Sequence, residues 1–301
     1  MRVGFDIGGT FTDVVLIGRN GGIKTAKVLS LLNQVGDDIL RLTREEACRD
    51  PVEVFVHGTT QASNAVLENK TAKTGLLTTK GFRDDLEMRS LRRPSIYDLD
   101  WDRLPPLIPR HLRMEVNERV LGDGSVEQPL DREQARKAIK ALLAEQVEAI
   151  AVCLLHAYLN PAHEQALKAL LQEAAPGLPV CISSEVHPEI REYERASTTA
   201  INASLVPVID RYLQELERKL APESPRLLVM QSNGGIMSSE TARRKPHLMI
   251  ESGPAAGVLA AARLSREIDI TKALSMDMGG TTAKACLIEN YAPFEKPGGE
   301  I

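Results

Sequence analysis

Two aspartates stand in the same small setting near opposite ends of this chain. Asp6 closes an apolar run and leads into Gly8-Gly9-Thr10. Asp277 closes another and leads into Gly279-Gly280-Thr281. The two stretches also match downstream, at Leu16-Ile17 and Leu287-Ile288. The chemistry this suits is polyphosphate binding. Paired glycines let main-chain N–H groups approach an anion with no Cβ in the way. The hydroxyls of Thr10, Thr12, Thr281 and Thr282 add neutral donors. A carboxylate cannot touch phosphate without repulsion, but it can hold a hydrated Mg²⁺ or Mn²⁺ that does, since Mg²⁺ keeps several waters and takes one or two carboxylates. Asp6 and Asp277 are therefore the expected metal ligands, and Asp13 is expected to orient Thr10 or a metal-bound water. One Asp-x-Gly-Gly-Thr alone is equally an ordinary glycine hairpin. Its recurrence at matched places favours the functional reading.

The elements that would carry these residues follow from periodicity. Residues 3–17 read as strand, tight turn, strand. Ile23 to Leu29 adds a third strand, and a helix is expected near Gly36 to Cys48. The strand Val52 to Val56 leads into His57-Gly-Thr-Thr60 and a helix over residues 61–68. Thr59 and Thr60 thus stand at a strand end and helix start, where ligands of open α/β sheets sit and where threonine also serves as a plain cap. Lys73 to Thr79, Glu148 to Leu155 and Val180 to Ser183 read as strands alternating with helices over 131–145 and 161–174. That pattern predicts a parallel sheet with covered faces. Residues 90–114 break the periodicity around Trp101, and Arg89, Arg92 and Arg93 there could face a carboxylate. Residues 184–203 are dense in charge, with Arg191 and Arg195 one helical turn apart. A separate amphipathic helix is expected from Pro207 to Leu220. Leu227 to Met230 is a strand ending in the polar loop Gln231 to Gly235. Ser252 opens a helix of small residues, and Ala273 to Ile288 forms the second glycine hairpin.

The two hairpins, Asp6-Ile-Gly-Gly-Thr-Phe-Thr-Asp13 and Asp277-Met-Gly-Gly-Thr-Thr282, resemble the phosphate loops of the actin/Hsp70/sugar-kinase superfold. His57-Gly-Thr-Thr60, Thr78-Thr-Lys-Gly-Phe-Arg83, Glu189-Ile-Arg-Glu-Tyr-Glu-Arg195, Gln231-Ser-Asn-Gly-Gly235 and Ser252-Gly-Pro-Ala-Ala-Gly257 are similar to blocks of the hydantoinase A/5-oxoprolinase family, in family order along the whole chain. The resemblance implies an α/β, actin-like (ribonuclease H-like) N-terminal domain over 1–200. Over 201–301 it implies the truncated start of a duplicated domain. It implies ATP with Mg²⁺ or Mn²⁺ as cofactors and Gly8, Gly9, Thr10, Thr12, Thr59, Thr60, Gly279, Gly280, Thr281 and Thr282 around the phosphates. Asp6, Asp13 and Asp277 would be the catalytic carboxylates. The implied activity is ATP-dependent hydrolysis of a cyclic amide such as hydantoin, N-methylhydantoin or 5-oxoproline. The same motifs occur in acetone and acetophenone carboxylase subunits, and a non-catalytic nucleotide switch is a third possibility. Implied partners are the small cyclic amide and a hydantoinase B-type subunit, or self-association. With most of the second domain absent, these 301 residues alone are expected to be inactive. One departure concerns Lys284, which stands where the first hairpin has Asp13 and could pair a phosphate or project away.

Composition narrows the classes. Hydrophobic residues make up 43% and charged residues 26% of the chain, as in a soluble globular protein. The net charge of −4 gives nucleic acid no electrostatic footing. No apolar run is long enough to span a bilayer. The cysteines, Cys48, Cys153, Cys181 and Cys286, are scattered, as expected of reduced thiols in the cytoplasm. The histidines form no zinc spacing, and there is neither a Walker A sequence nor a G-x-S-x-G elbow.

Overall fold

Alternating apolar residues build the first sheet. In the computed structural model, β1 (Arg2–Ile7) buries Val3, Phe5 and Ile7, while Arg2 and Asp6 face outward. The structure describes residues 1–30, 35–46, 51–91, 97–98, 100, 102, 104–224, 226–278 and 283–294. The expected features at Cys48, Arg92, Arg93, Trp101, Gly279, Gly280, Thr281 and Thr282 lie outside them. Strand β2 (Phe11–Ile17) runs antiparallel to β1 and buries Thr12, Val14 and Leu16. Strand β3 (Ile23–Leu29) completes the expected meander. Helix α1 (Val35–Glu46) packs on β2 and β3. Strand β4 (Val54–Thr59) then lies parallel to β1, and α2 (Gln61–Leu67) follows.

The described residues divide into two compact units, one of 1–64 with 212–301, the other of 65–211. The second is built on a parallel sheet, as the alternation of strands and helices predicts. Strand β5 (Thr74–Thr79) is buried throughout, and α3 (Asp85–Met88) follows it. Strand β6 (Arg113–Val116) lies beside β5, and β7 (Arg119–Val120) with β8 (Val126–Gln128) forms a small hairpin. Asp131 caps α4 (Arg132–Ala144) by accepting from the Gln134 N–H at 3.0 Å. Strand β9 (Ala149–Cys153) is buried at all five residues. Helix α5 (Ala162–Ala174), strand β10 (Val180–Ile182) and the short α6 (Ser183–Val186) complete the alternation. The sheet order is β10-β9-β5-β6, all parallel. Ala135, Ile139 and Leu142 of α4 and Leu167, Leu170 and Leu171 of α5 recur at helical spacing and enter its core.

Helix α7 corrects one expectation. It runs unbroken from Glu192 to Leu220, 29 residues with Pro207 inside, where the sequence predicts a charged segment and then a new helix. Proline removes one backbone hydrogen bond, to the carbonyl of Ala203. Buried Ala200, Ala203, Leu205, Ile209 and Leu213 on both sides of it keep the axis in place, so packing overrides the local cost.

The first unit resumes with β11 (Leu227–Met230), parallel to β4, and β12 (Ile236–Ser238), antiparallel to β11. Its sheet order, β12-β11-β4-β1-β2-β3, sets the expected three-strand meander beside β4 and β11, which run parallel to β1. Helix α8 (Ser239–Arg244) and a 3₁₀ turn at Pro246–Met249 lead to α9 (Ser252–Glu267). Strands β13 (Lys272–Met278), β14 (Ala283–Glu289) and β15 (Ala292–Pro293) form a separate antiparallel sheet.

Candidate active site: paired glycine hairpins

The sheet register places the carboxylates. Asp6 lies directly opposite Asp13 across the β1–β2 pairing, both on the outward face. In the β13–β14 pairing Asp277 lies directly opposite Lys284. The hairpins are thus equivalent in register as well as in sequence. At the tip of the first, the Gly8 N–H donates to the Phe11 carbonyl at 3.1 Å, and Gly9 and Thr10 are exposed. The space around Gly9 is open, with no atom within 4 Å of where a Cβ would stand.

Two further glycines shape the surroundings of Asp6. Gly58 is its neighbour across the parallel β1–β4 pairing, and a Cβ there would stand 2.8 Å from Asp6 Oδ1. A Cβ on Gly253, in the first turn of α9, would stand 3.8 Å from the same oxygen. Sequence reasoning marked both blocks but not these close approaches, which only the register of β4 and the docking of α9 create. The Asp6 carboxyl is held above the usual carboxylate range, first by its withdrawal from bulk water, then by the charges of Asp13 and Asp277. Asp6 keeps surface open to solvent, and Asp277 is the smallest of the three influences on it.

That setting fits a divalent cation. Mutually repelling carboxylates are stabilised by one, and oxygen donors suit Mg²⁺ or Mn²⁺. Among the described residues no cluster of three or more metal-ligating side chains occurs. One or two carboxylates completed by water and phosphate oxygens is the Mg²⁺ pattern.

The remaining expected residues separate by face. Thr12 is opposite Ile7 on the buried side, its hydroxyl 2.9 Å from Ser30 Oγ. Thr59 is also buried and accepts from the Gln61 N–H at 3.1 Å, as a helix cap does. Thr60 is half-buried, and its hydroxyl accepts from Asn64 Nδ2 at 3.1 Å. Asp13 is exposed and ion-paired with Lys27 of β3 at 2.8 Å, a partner the spacing did not suggest. His57 stacks on Phe5 with ring centroids 4.6 Å apart, and its Nε2 lies 2.8 Å from the Tyr212 hydroxyl. Burial pushes His57 down to about 3. It is therefore a neutral core residue at physiological pH.

In the second unit, two of the sequence blocks meet. Thr78 and Phe82, at the carboxyl end of β5, line a small pocket with Asp85, Cys153, Glu192 and Arg195. Arg195 is fully buried and donates from Nη2 to the Leu154 carbonyl at 2.7 Å and from Nη1 to the Glu189 carbonyl at 3.2 Å. Asp85 is pushed up to about 6 by burial and by Glu192, against the opposing pull of Arg195. Arg89, in the expected loop, donates to the Leu104 carbonyl rather than to a carboxylate. Cys153 and Cys181 are buried free thiols raised to about 11 by burial, and Cys286 is half-buried.

Sheet order and duplicated hairpins define an α/β protein of the actin-like class. Residues 2–175 match the hydantoinase/oxoprolinase N-terminal region and residues 195–297 match the hydantoinase/oxoprolinase domain. The chain belongs to the hydantoinase/oxoprolinase family. It is 37% identical over its whole length to an uncharacterized protein of Methanocaldococcus jannaschii, and spans 46% of that relative. It is 36% identical to the caprolactamase subunit alpha of Pseudomonas jessenii, with 93% of this chain and 42% of that one covered. The crystal structure of the ATP-dependent caprolactamase from Pseudomonas jessenii superposes with a TM-score of 0.83 at 33% identity, over 95% of this chain and 43% of that one. The nucleotide-free structure of acetone carboxylase gives 0.81 at 25% identity, over 97% and 44%. The family also includes 5-oxoprolinases and an acetophenone carboxylase subunit. The chain spans less than half the length of these relatives. Among the described residues no helix is long and apolar enough to cross a membrane.

Proposed function

We propose that this chain carries the phosphate-binding hairpins of an ATP-dependent enzyme that opens a cyclic amide. The observation that carries this is the register equivalence of Asp6 and Asp277 in the two glycine hairpins. Asp6 and Asp277 would hold Mg²⁺ or Mn²⁺ through water. The bound ion would neutralise phosphate charge. The backbone N–H groups around Gly8-Gly9 and Gly279-Gly280 would cradle the phosphates, with Thr10, Thr281 and Thr282 as hydroxyl donors. Thr12, Thr59 and Thr60 would act from behind, by fixing the strands and helix that present Asp6. Asp13 would orient Thr10 or a metal-bound water from its pair with Lys27.

Amide hydrolysis is slow because nitrogen donates into the carbonyl. Transfer of the terminal phosphoryl group of ATP to the carbonyl oxygen, releasing ADP, would make the carbon electrophilic. Water would add to it, and the ring C–N bond would break with the nitrogen taking a proton. A second water would release phosphate from the resulting acyl phosphate. The protein then has mainly to position reactants and offset charge. The likeness to acetone carboxylase supports a second reading, in which the phosphorylated substrate is passed to another subunit and carboxylated. Relatives named as subunits support a partner of the hydantoinase B type. Division at residue 200 and a cytoplasmic location belong to the same proposal.

The test is phosphate release by the full-length protein, with its partner subunits, given ATP and Mg²⁺. Hydantoin, N-methylhydantoin, 5-oxoproline, caprolactam and acetone plus bicarbonate are compared. Stimulation by a cyclic amide is the expected result. Stimulation by acetone and bicarbonate alone would favour the carboxylase, and none by any compound would overturn both.

A further inference from the structure

Lys284 breaks the symmetry of the hairpins, and its partner lies on neither of them. It stands across from Asp277, yet its Nζ contacts the carboxylate of Glu251, the residue just before α9. Glu251 adopts a left-handed backbone, φ 64°. That conformation costs a non-glycine residue roughly 1 kcal/mol, so the surroundings impose it. Its N–H donates to Ser63 Oγ at 3.0 Å, and the Ser252 hydroxyl donates to the Thr59 carbonyl at 3.4 Å. Two residues on, Gly253 leaves open space beside Asp6, where a Cβ would stand 3.8 Å from Asp6 Oδ1. One turn thus holds the cation of the second hairpin and runs close by the Asp6 carboxylate of the first.

Both charged groups remain partly open, with 36% of the Lys284 side chain and 40% of the Glu251 side chain exposed. Desolvation pulls the Lys284 amine below the usual lysine range. An ion pair this accessible contributes little by itself and exchanges readily. A polyphosphate presents more charge and more acceptors than one carboxylate.

We infer that Lys284 is a phosphate-contacting cation, and that Glu251 is a positioning residue holding it ready until a polyphosphate takes its place. The inference rests on the polyphosphate reading of the paired hairpins. It makes the departure at position 284 functional: each hairpin offers one aspartate to the metal side, and the second adds a positive charge to the phosphate side.

The test is calorimetric titration of the chain with magnesium pyrophosphate, with thermal melts confirming that each variant is folded. Lys284→Met should weaken binding about tenfold, and Lys284→Arg should restore most of it because the charge is kept. Glu251→Gln should tighten binding, because a competing carboxylate is gone, and should have no effect in the Lys284→Met background. A merely structural brace would give the opposite sign. Glu251→Gln weakening binding as much as Lys284→Met, or Lys284→Met leaving it unchanged, would overturn the inference alone. A wild-type chain that binds no pyrophosphate at all would overturn the hairpin reading beneath it. Should Glu251→Gln fail to fold, the Lys284→Met and Lys284→Arg comparison still decides.

Discussion

Gly58 and Asp6 are neighbours across parallel strands with no room between them for a methyl group. A Cβ at 58 would stand 2.8 Å from Asp6 Oδ1 and 3.4 Å from its Cγ. Gly58→Ala should therefore turn the carboxylate away from its present direction. Because a side-chain end can swing aside, we expect a stability loss of at most about 1 kcal/mol, the low end of overpacking costs. Weakened Mn²⁺ binding in the presence of pyrophosphate should accompany it. Urea denaturation and electron paramagnetic resonance of Mn²⁺ measure the two effects. An alanine variant with unchanged Mn²⁺ affinity would show that the orientation of Asp6 is irrelevant to metal binding.

Asp6 itself should trade stability against binding. Its carboxyl is raised by burial and by Asp13 and Asp277. A raised acid means that the folded state holds its proton more tightly than the unfolded state does. Stability then falls as pH rises from the unfolded value through the folded one. At neutral pH without divalent cations, Asp6→Asn should accordingly melt at or above the wild-type temperature. Addition of Mn²⁺ and pyrophosphate should raise the wild-type melting point, since a ligand binding only the folded state stabilises it. The variant should gain nothing, and Asp277→Asn should behave alike. A variant stabilised as much as wild type would remove that aspartate from the metal role.

What the chain reveals unaided follows from which forces are local. The hairpins, the β9 strand and the Asp131 cap are written in short-range pattern, and each forms near its expected place. Helix α7 was illegible at Pro207 because long-range packing on both sides decided the outcome. Thr12 looks like a ligand donor in sequence because motif strings do not say which face a residue takes. Counting alternation from Val14 and Leu16 would have turned it inward. Lys27, Gly58 and Glu251 could not be found this way. Their roles come from pairing with residues distant in the chain.

Asp85 supplies a pH test in the second unit. Burial and the Glu192 charge push it up to about 6. The folded state then keeps this proton where the unfolded chain would release it. Stability should fall as pH rises from the ordinary carboxylate range through about 6 and level off above. Asp85→Asn should flatten that part of the profile and raise the melting point at pH 7. Melts at closely spaced pH values for both proteins check it. Parallel profiles would mean that burial and the Glu192 charge leave this carboxyl unperturbed.

The glycines of the first turn should divide their labour. Gly8 closes the turn by donating to the Phe11 carbonyl, and a Cβ on it would stand 3.0 Å from that oxygen. Gly9 has open space around its Cβ position. Gly8→Ala should thus cost folding stability, because backbone cannot yield as a side-chain end can. Gly9→Val should leave the fold nearly unchanged yet weaken pyrophosphate binding, because its side chain would occupy the room a phosphate needs beside the N–H groups. Thr10→Ala, which removes one neutral hydroxyl, should cost only on the order of 1 kcal/mol of affinity. Titration of the three variants with magnesium pyrophosphate, beside their urea denaturation curves, orders the effects. Should Gly9→Val bind like wild type while Thr10→Ala loses most affinity, the glycine would serve only the turn, and the phosphate would rest on side chains.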